Sequence, residues 1–109
     1  MTPPNLRILQ NAMQAYSWRM QALSSNVANL DTPGYDRLSV RFEETLQRAR
    51  SGAGDARTVT AQAVEEDRPP LLEDELMEIA DTQMRTQLAS RALHEHFARM
   101  RTGITGRAQ

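Results

Sequence analysis

The sequence contains no cysteine and no lysine among its 109 residues. The absence of cysteine excludes disulfide bonds and thiolate metal sites, and the absence of lysine excludes a lysine nucleophile. Only 39% of the residues are hydrophobic and 5% are aromatic, so little apolar surface is available to offset the conformational entropy lost on folding. We therefore expect a partner to complete the core of this protein.

The chain also lacks an excess of positive charge and any long apolar run. Its formal net charge is −1, whereas nucleic-acid binding requires a basic surface, so nucleic acid is not a predicted partner. No apolar run reaches the length of a membrane-spanning segment, and the first residues lack the charged and apolar regions of a cleaved signal peptide. The length predicts one structural unit.

The first thirty residues carry apolar side chains at spacings that alternate between three and four. This spacing is typical of the a and d positions of a helix that packs against other helices. Trp18 and Ile8 fall beside this line, where they either widen the buried face or face a second partner. The N-terminal seam consists of Leu6, Leu9, Met13, Tyr16, Met20, Leu23, Val27 and Leu30.

A second helix is predicted after Pro69 and Pro70, with acidic residues in its first turn. Gly103 and Gly106 are expected to end it. Two lines of side chains run along this helix, a seam and an apolar line beside it, which favours a helix that presents more than one surface. The apolar line is Met77, Ala80, Met84, Leu88 and Ala92. The C-terminal seam consists of Leu72, Leu76, Ile79, Gln83, Thr86, Ser90, Leu93, Phe97, Met100 and Ile104.

The middle of the chain predicts short elements only. The alternation of Leu38, Val40 and Phe42 predicts a short strand or an extended segment. A short helix over 42–50, a loop over 51–55 and a weak strand over 57–64 follow.

The predicted fold class is mainly α: N- and C-terminal helices form an antiparallel coiled-coil hairpin, with a short irregular or extended middle segment. The predicted segments are 1–36, 37–70 and 71–109, within one unit, and Leu9 and Met13 are expected to lie near Phe97 and Met100.

The stretch SSNVANLDTPGYDR, residues 24–37, ends the first helix in an unusual way. Pro33 and Gly34 fit the two central positions of a type II turn, in which glycine takes a positive φ. Tyr35 can pack against the protein while its hydroxyl group finds a hydrogen-bond partner. The amides of Asn26 and Asn29 can cap the helix end or bind another chain.

The sequence NVANLDTPGY resembles the signature of flagellar basal-body rod, hook and hook-associated axial proteins. The segment LEDELMEIADTQMRTQLASRAL is similar to the C-terminal helix of the same family. The short length, with almost no insert between the helices, points to the proximal rod subunits. The residues that carry the family signature and its turn are Asn26, Asn29, Asp31, Thr32, Pro33, Gly34 and Tyr35.

The resemblance implies a structural subunit that is exported unfolded by the type III export apparatus, without a cleaved signal peptide. It implies assembly through the terminal helices into the periplasmic rod of the flagellar basal body, a hetero-oligomeric helical tube. The implied partners are other rod subunits, the rod-to-membrane-ring adaptor and the ring protein. No cofactor is implied. Polar seam residues such as Gln83 and Ser90 would specify the register of packing.

The same seams also fit a small helical-hairpin adaptor or an export chaperone that binds a partner helix. The signature turn and the long spacer argue against that alternative, because a simple hairpin needs only a short loop. An enzyme is not predicted: His94 and His96 are two residues apart and so point to different faces of a helix. No calcium-loop spacing and no Ser–His–acid arrangement is visible, so no catalytic or metal-binding residue is predicted.

Overall fold

The fold consists of two long helices with a small strand-containing layer between them in sequence. The structure is a computed structural model that describes residues 4–108, so residues 1–3 and 109 of the predicted terminal segments lie outside it. The predicted fold class is confirmed. The elements, in order, are α1 (Pro4–Ala28), β1 (Leu38–Arg41), α2 (Glu43–Arg48), a π-helical turn (Ala49–Ala53), a 3-10 turn (Ala56–Thr58), β2 (Gln62–Glu65) and α3 (Leu72–Ala108).

Helices α1 and α3 pack side by side in opposite directions. The end of α1 meets the start of α3, where Asn26 Nδ2 lies 3.2 and 3.3 Å from the two carboxylate oxygens of Glu75. With Asn26 level with Glu75 and the same rise per residue in both helices, Leu9 lies level with about residue 92. The expected proximity of Leu9 to Met100 is therefore wrong, because a polar contact rather than an apolar one sets the register.

Helix α1 packs against other parts of the protein on two of its sides. Met13, Tyr16 and Met20 border the groove between α1 and α3, whereas the side that carries Ala12 and Ala15 packs on the middle segment. Alanine on this side lets the middle segment approach the helix closely. The main core cluster consists of Ala12, Ala15, Phe42 and Val59, with the partly buried Tyr16, Leu46, Ala49 and Ala61 packed against it.

The middle segment forms a two-stranded antiparallel sheet. The strand predicted from Leu38 is confirmed as β1, and it pairs with β2 from Leu38 opposite Glu65 to Arg41 opposite Gln62. The weak strand predicted over 57–64 begins only at Gln62. The residues before it turn instead, because the side chain of Asp55 accepts a 2.9 Å hydrogen bond from the backbone N–H of Arg57.

Helix α3 is longer than its partner and does not end at its glycines. The prediction that Gly103 and Gly106 end the helix is wrong, since α3 continues to Ala108. A glycine inside a helix costs about 1 kcal/mol relative to alanine but keeps its backbone N–H, so it weakens a helix without breaking it. α3 has 37 residues and α1 has 25, so α3 extends past the described start of α1.

The predicted type II turn is confirmed after α1. The backbone N–H of Tyr35 donates to the carbonyl oxygen of Thr32 at 3.2 Å, and Gly34 has a φ of 75°. Asn29 caps the helix end, because its Nδ2 donates to the carbonyl oxygen of Ser25 at 2.8 Å. The hydroxyl of Thr32 donates to Asn29 Oδ1 at 3.0 Å. The turn therefore reverses the chain directly after the helix cap.

We expect Gly34→Ala to lower the free energy of unfolding by about 1 kcal/mol, because a residue with a Cβ is strained at positive φ. A Cβ at Gly34 would meet no atom within 4 Å, so the cost comes from the backbone alone. Gly54→Ala is the matched control: Gly54 has an extended φ of 163° and equally open surroundings. Urea unfolding that gives equal stabilities for the two variants would contradict this account.

Candidate functional site

A buried cluster of charges joins the segment after the turn to the start of α3. Arg37 is only 2% exposed and Glu75 is 0% exposed. Arg37 Nε and Nη2 donate to the two oxygens of Glu75 at 2.7 and 3.0 Å, so the two planar groups meet in a bidentate pair. The guanidinium also donates to Glu66 and, at 2.9 Å, to Glu78. We call Arg37, Glu66, Glu75 and Glu78 the Arg37 cluster.

The Arg37 cluster holds three parts of the chain together. The hydrogen bond to Glu75, which outweighs the effect of burial, raises the pKa of Arg37 above its usual value, so this side chain is always charged. Its backbone N–H donates to the carbonyl oxygen of Arg68 at 2.9 Å, and its carbonyl oxygen accepts from the N–H of Glu66 at 2.9 Å. Arg37 thus fixes the entry to β1, the exit from β2 and the first turn of α3.

Asn26 connects the same cluster to α1. Its Oδ1 accepts from the backbone N–H of Leu38, and its Nδ2 donates to the carbonyl oxygen of Leu38, both at 2.8 Å. The amide therefore pairs with the outer edge of β1 as a neighbouring strand would. The hydroxyl of Tyr35 donates to Asn26 Oδ1 at 3.1 Å and lies 2.9 Å from Ser25 Oγ, which completes the network. Asn26 neither caps α1 nor stays free for another chain.

A second ion pair lies further along α1. Arg19 donates to both carboxylate oxygens of Glu43 at 2.8 and 2.6 Å, and its Nη2 donates to the carbonyl oxygen of Val40 at 2.8 Å. Arg85 of α3 approaches Glu43 at 3.5 Å. Burial alone would raise the pKa of Glu43, but the hydrogen bonds from Arg19 and the positive charges of Arg19 and Arg85 lower it below its usual value. This pair ties α1, β1, α2 and α3 together.

The predicted seam residues occupy different environments in the two helices. In α1, Leu23 is buried, and Leu9, Met13, Tyr16, Met20 and Val27 are half-buried. In α3, Ile79 and Leu93 are half-buried, but Leu76, Gln83, Phe97 and Met100 are exposed. The buried residues of α3 are instead Glu75, Thr82 and Ala89. The packing role of the exposed seam residues stays a prediction about contacts with other chains.

The signature residues likewise divide between the interior and the surface. Asn26 is buried, and Asn29 and Tyr35 are half-buried. The turn itself is exposed; its residues are Asp31, Thr32, Pro33 and Gly34. The structure thus builds one part of the signature into the hairpin and presents the other part to the outside.

Large apolar side chains cover the side of α3 that faces away from α1. A contiguous apolar surface on a small protein usually marks an interaction site. Trp18 of α1, which the sequence left between two interpretations, is also exposed and so is available to a partner. The apolar surface of α3 consists of Met77, Met84 and Leu88, which lie opposite Glu75 on the helix, and the exposed Leu72 and Leu76 lie on the flank beside it.

The described residues offer geometry for packing rather than for catalysis. Among residues 4–108, no group of three histidine, cysteine or acidic side chains could hold a metal ion. None of the helices in this part of the chain is long and apolar enough to cross a membrane. In the Arg37 cluster and at Glu43 the carboxylates are occupied by arginine, so the charges of the site fix helices in place.

Sequence reasoning missed Arg37, Glu75 and Arg19. Glu75 was assigned only to the favourable interaction of acidic residues with a helix N-terminus. The sequence did contain a signal for the side of α3 that packs on α1. Besides its seam and its apolar line, α3 has a further line with spacings of three and four, and most of its residues are small or polar. This line, which faces α1, is Glu75, Ile79, Thr82, Thr86, Ala89, Leu93 and His96.

We expect Arg37→Met to lower the free energy of unfolding by about 3–5 kcal/mol, because it leaves Glu75 buried without its partner. The double variant Arg37→Met/Glu75→Leu should be more stable than the single variant, since it removes both charges. Arg41→Met, at an exposed position of β1, is the control. Denaturant unfolding that ranks the double variant below the single one would show that the charges are not coupled in this way.

The lowered pKa of Glu43 predicts a loss of stability in acid. A carboxylate with a lowered pKa in the folded state stabilises the protein above its unfolded pKa of about 4.5, and this contribution disappears as the pH falls through the folded pKa. Glu43→Gln should therefore be less stable than the unaltered protein at pH 6, and the difference should shrink as the pH falls below 4.5 and vanish below the lowered pKa of the folded state. Glu44→Gln, at the exposed neighbouring position, is the control, and thermal unfolding at pH 6 should give it about the stability of the unaltered protein.

Comparisons with known proteins identify relatives of one kind. Residues 6–35 match the family model described as "Flagella basal body rod protein". The flagellar basal body rod protein FlgB of Aeromonas hydrophila is 36% identical over 67 residues, which are 59% of this chain and 51% of the relative. The proteins of the same name from Escherichia coli K12 and Shigella flexneri are each 36% identical over 56 residues, 51% of this chain and 41% of the relative.

The chain spans about half the length, or less, of the curated relatives that it matches. The matched family segment contains α1 from Leu6 onward and the turn through Tyr35, including Asn26 and Gly34. These are the residues whose hydrogen bonds and backbone conformation set the geometry of the hairpin. The comparisons therefore confirm the resemblance that the sequence predicted, to the flagellar basal-body rod proteins and within them to FlgB.

Proposed function

We propose that this chain is a structural subunit of the proximal rod of the bacterial flagellar basal body. The observation that carries the proposal is that the signature segment is built into the hairpin. Asn26 and Tyr35 join the end of α1 to β1 and to Glu75 of α3, so the signature fixes how two long helices are presented. The proposed role is mechanical, and the chain is not an enzyme.

The exposed side of α3 supplies the surface for assembly. A fixed helical hairpin with large apolar side chains on its outer side can pack against helices of neighbouring subunits, and contacts that do not close build a filament. The neighbours in this proposal are other rod subunits, the rod-to-membrane-ring adaptor and the ring protein, in a hetero-oligomeric helical tube. In this proposal the chain reaches its periplasmic place through the type III export apparatus, in an unfolded state.

The test is carried out in the source bacterium. The chromosomal copy is replaced by Met84→Glu/Leu88→Glu, which adds two charges to the exposed apolar side of α3. Swimming should be lost and the tagged chain should be absent from isolated basal bodies. Gln47→Glu/Gln62→Glu, which adds two charges at exposed polar positions elsewhere, should swim normally.

Two results would overturn this proposal. One is normal swimming after deletion of the whole chain. The other is that the unaltered tagged protein stays in the cytoplasm and never co-purifies with basal bodies, as expected for an adaptor or an export chaperone.

A further inference from the structure

The end of α3 projects beyond the hairpin. From Asn26, α1 runs back 22 residues to Pro4, and from Glu75, level with Asn26, α3 runs on 33 residues to Ala108. At about 1.5 Å per residue, the last part of α3 extends about 16 Å past the first described residue of α1. We call residues 97–108 the overhang.

The overhang continues the side of α3 that packs on α1. Leu93 is half-buried on that side, and Phe97, Met100 and Ile104 follow it at spacings of four, three and four. Their exposed fractions are 46%, 48% and 69%, so the contact line runs on after the described α1 has ended. The overhang also contains two glycines, which weaken an isolated helix. A partner on this line would both bury its apolar side chains and stabilise the helix.

The two ends of the molecule differ in charge. From His96 to Ala108 the sequence contains arginine but no acidic residue, and Arg99 and Arg101 are exposed. At the other end of a molecule 65 Å long lies the spacer end, residues 29–37 and 65–74. The spacer end presents the exposed acidic residues Asp31, Glu65, Asp67, Glu73 and Asp74 beside the exposed Leu71 and Leu72.

We propose that the overhang of one copy docks on the spacer end of a second copy. The basic, apolar overhang matches the acidic, apolar spacer end in charge and in hydrophobic character, and a helix arriving in line with α1 would continue its packing on Phe97, Met100 and Ile104. Because the two surfaces differ and lie at opposite ends, the contact is head-to-tail and does not close. This proposal rests on the proposed function, because a head-to-tail contact would extend a rod along its axis.

A charge exchange on the purified full chain tests the proposal. One variant, Arg99→Glu/Arg101→Glu, has an acidic overhang. The other, Asp31→Arg/Asp67→Arg, has a spacer end whose excess of negative charge is removed, because the two new arginines and the exposed Arg68 balance the acidic residues that remain; both aspartates are exposed. Sedimentation at increasing concentration should show the unaltered chain associating, and each variant alone associating about tenfold more weakly.

The mixture of the two variants is the decisive sample. The basic overhang of one variant then meets the acidic spacer end of the other, and the acidic overhang meets a spacer end that no longer repels it. An equimolar mixture should therefore recover the association of the unaltered chain and lose it again in high salt. Arg99→Lys/Arg101→Lys, which keeps the charge, should associate normally. Circular dichroism of each variant checks that its helices are intact, and recovery in the mixture cannot arise from misfolded components.

Three results would overturn the head-to-tail contact: an unaltered chain that stays monomeric, variants that associate as well as the unaltered chain, or a mixture that associates no better than its components. These outcomes do not depend on the test in cells. A chain that enters basal bodies but fails the mixing test is a rod subunit without this contact. A chain that passes the mixing test but is absent from basal bodies keeps the contact and loses the proposed rod function.

Discussion

The buried pair between Arg37 and Glu75 is the constraint on which the rest of the structure depends. Removing two charges from water costs several kcal/mol for each ion, and only near-ideal geometry with further hydrogen bonds offsets that cost. The chain supplies this geometry at once: the pair is bidentate, Glu66 and Glu78 bind the remaining donors, and Asn26 donates to the carboxylate. The turn through Gly34 reverses the chain and thereby brings Arg37 next to Glu75.

The Arg37–Glu75 pair explains why the two sides of α3 differ in composition. The side of α3 toward α1 begins with Glu75 and continues through small and polar residues such as Thr82 and Ala89, which are buried. Because the hairpin is fixed by polar contacts at its spacer end, it does not need the largest apolar side chains of α3. Those side chains remain on the outer side, where Met77, Met84 and Leu88 are exposed.

Local features of the fold could be predicted from the sequence, and long-range polar contacts could not. The type II turn follows from Pro33 and Gly34 alone, and β1 follows from the alternation of its side chains. The partner of Arg37 lies 38 residues away on another element, and several acidic residues nearby are equally plausible partners. Apolar spacing identified both helices, yet the seam that it predicted on α3 shares only Ile79, Thr86 and Leu93 with the line that faces α1, because the other members of that line are small or polar.

The Arg37 cluster also explains how a small core can specify one alignment of two long helices. A slip of α3 by one helical turn would place Leu71 or Ile79 where Glu75 stands and would leave Arg37 without its bidentate partner. Breaking a buried pair in this way costs about 3–5 kcal/mol, a large fraction of the stability of a small domain. Apolar side chains on α1 and α3 tolerate such a slip far better, since one apolar contact replaces another. The polar pair therefore sets the register, and the overhang of α3 is the geometric consequence of that register.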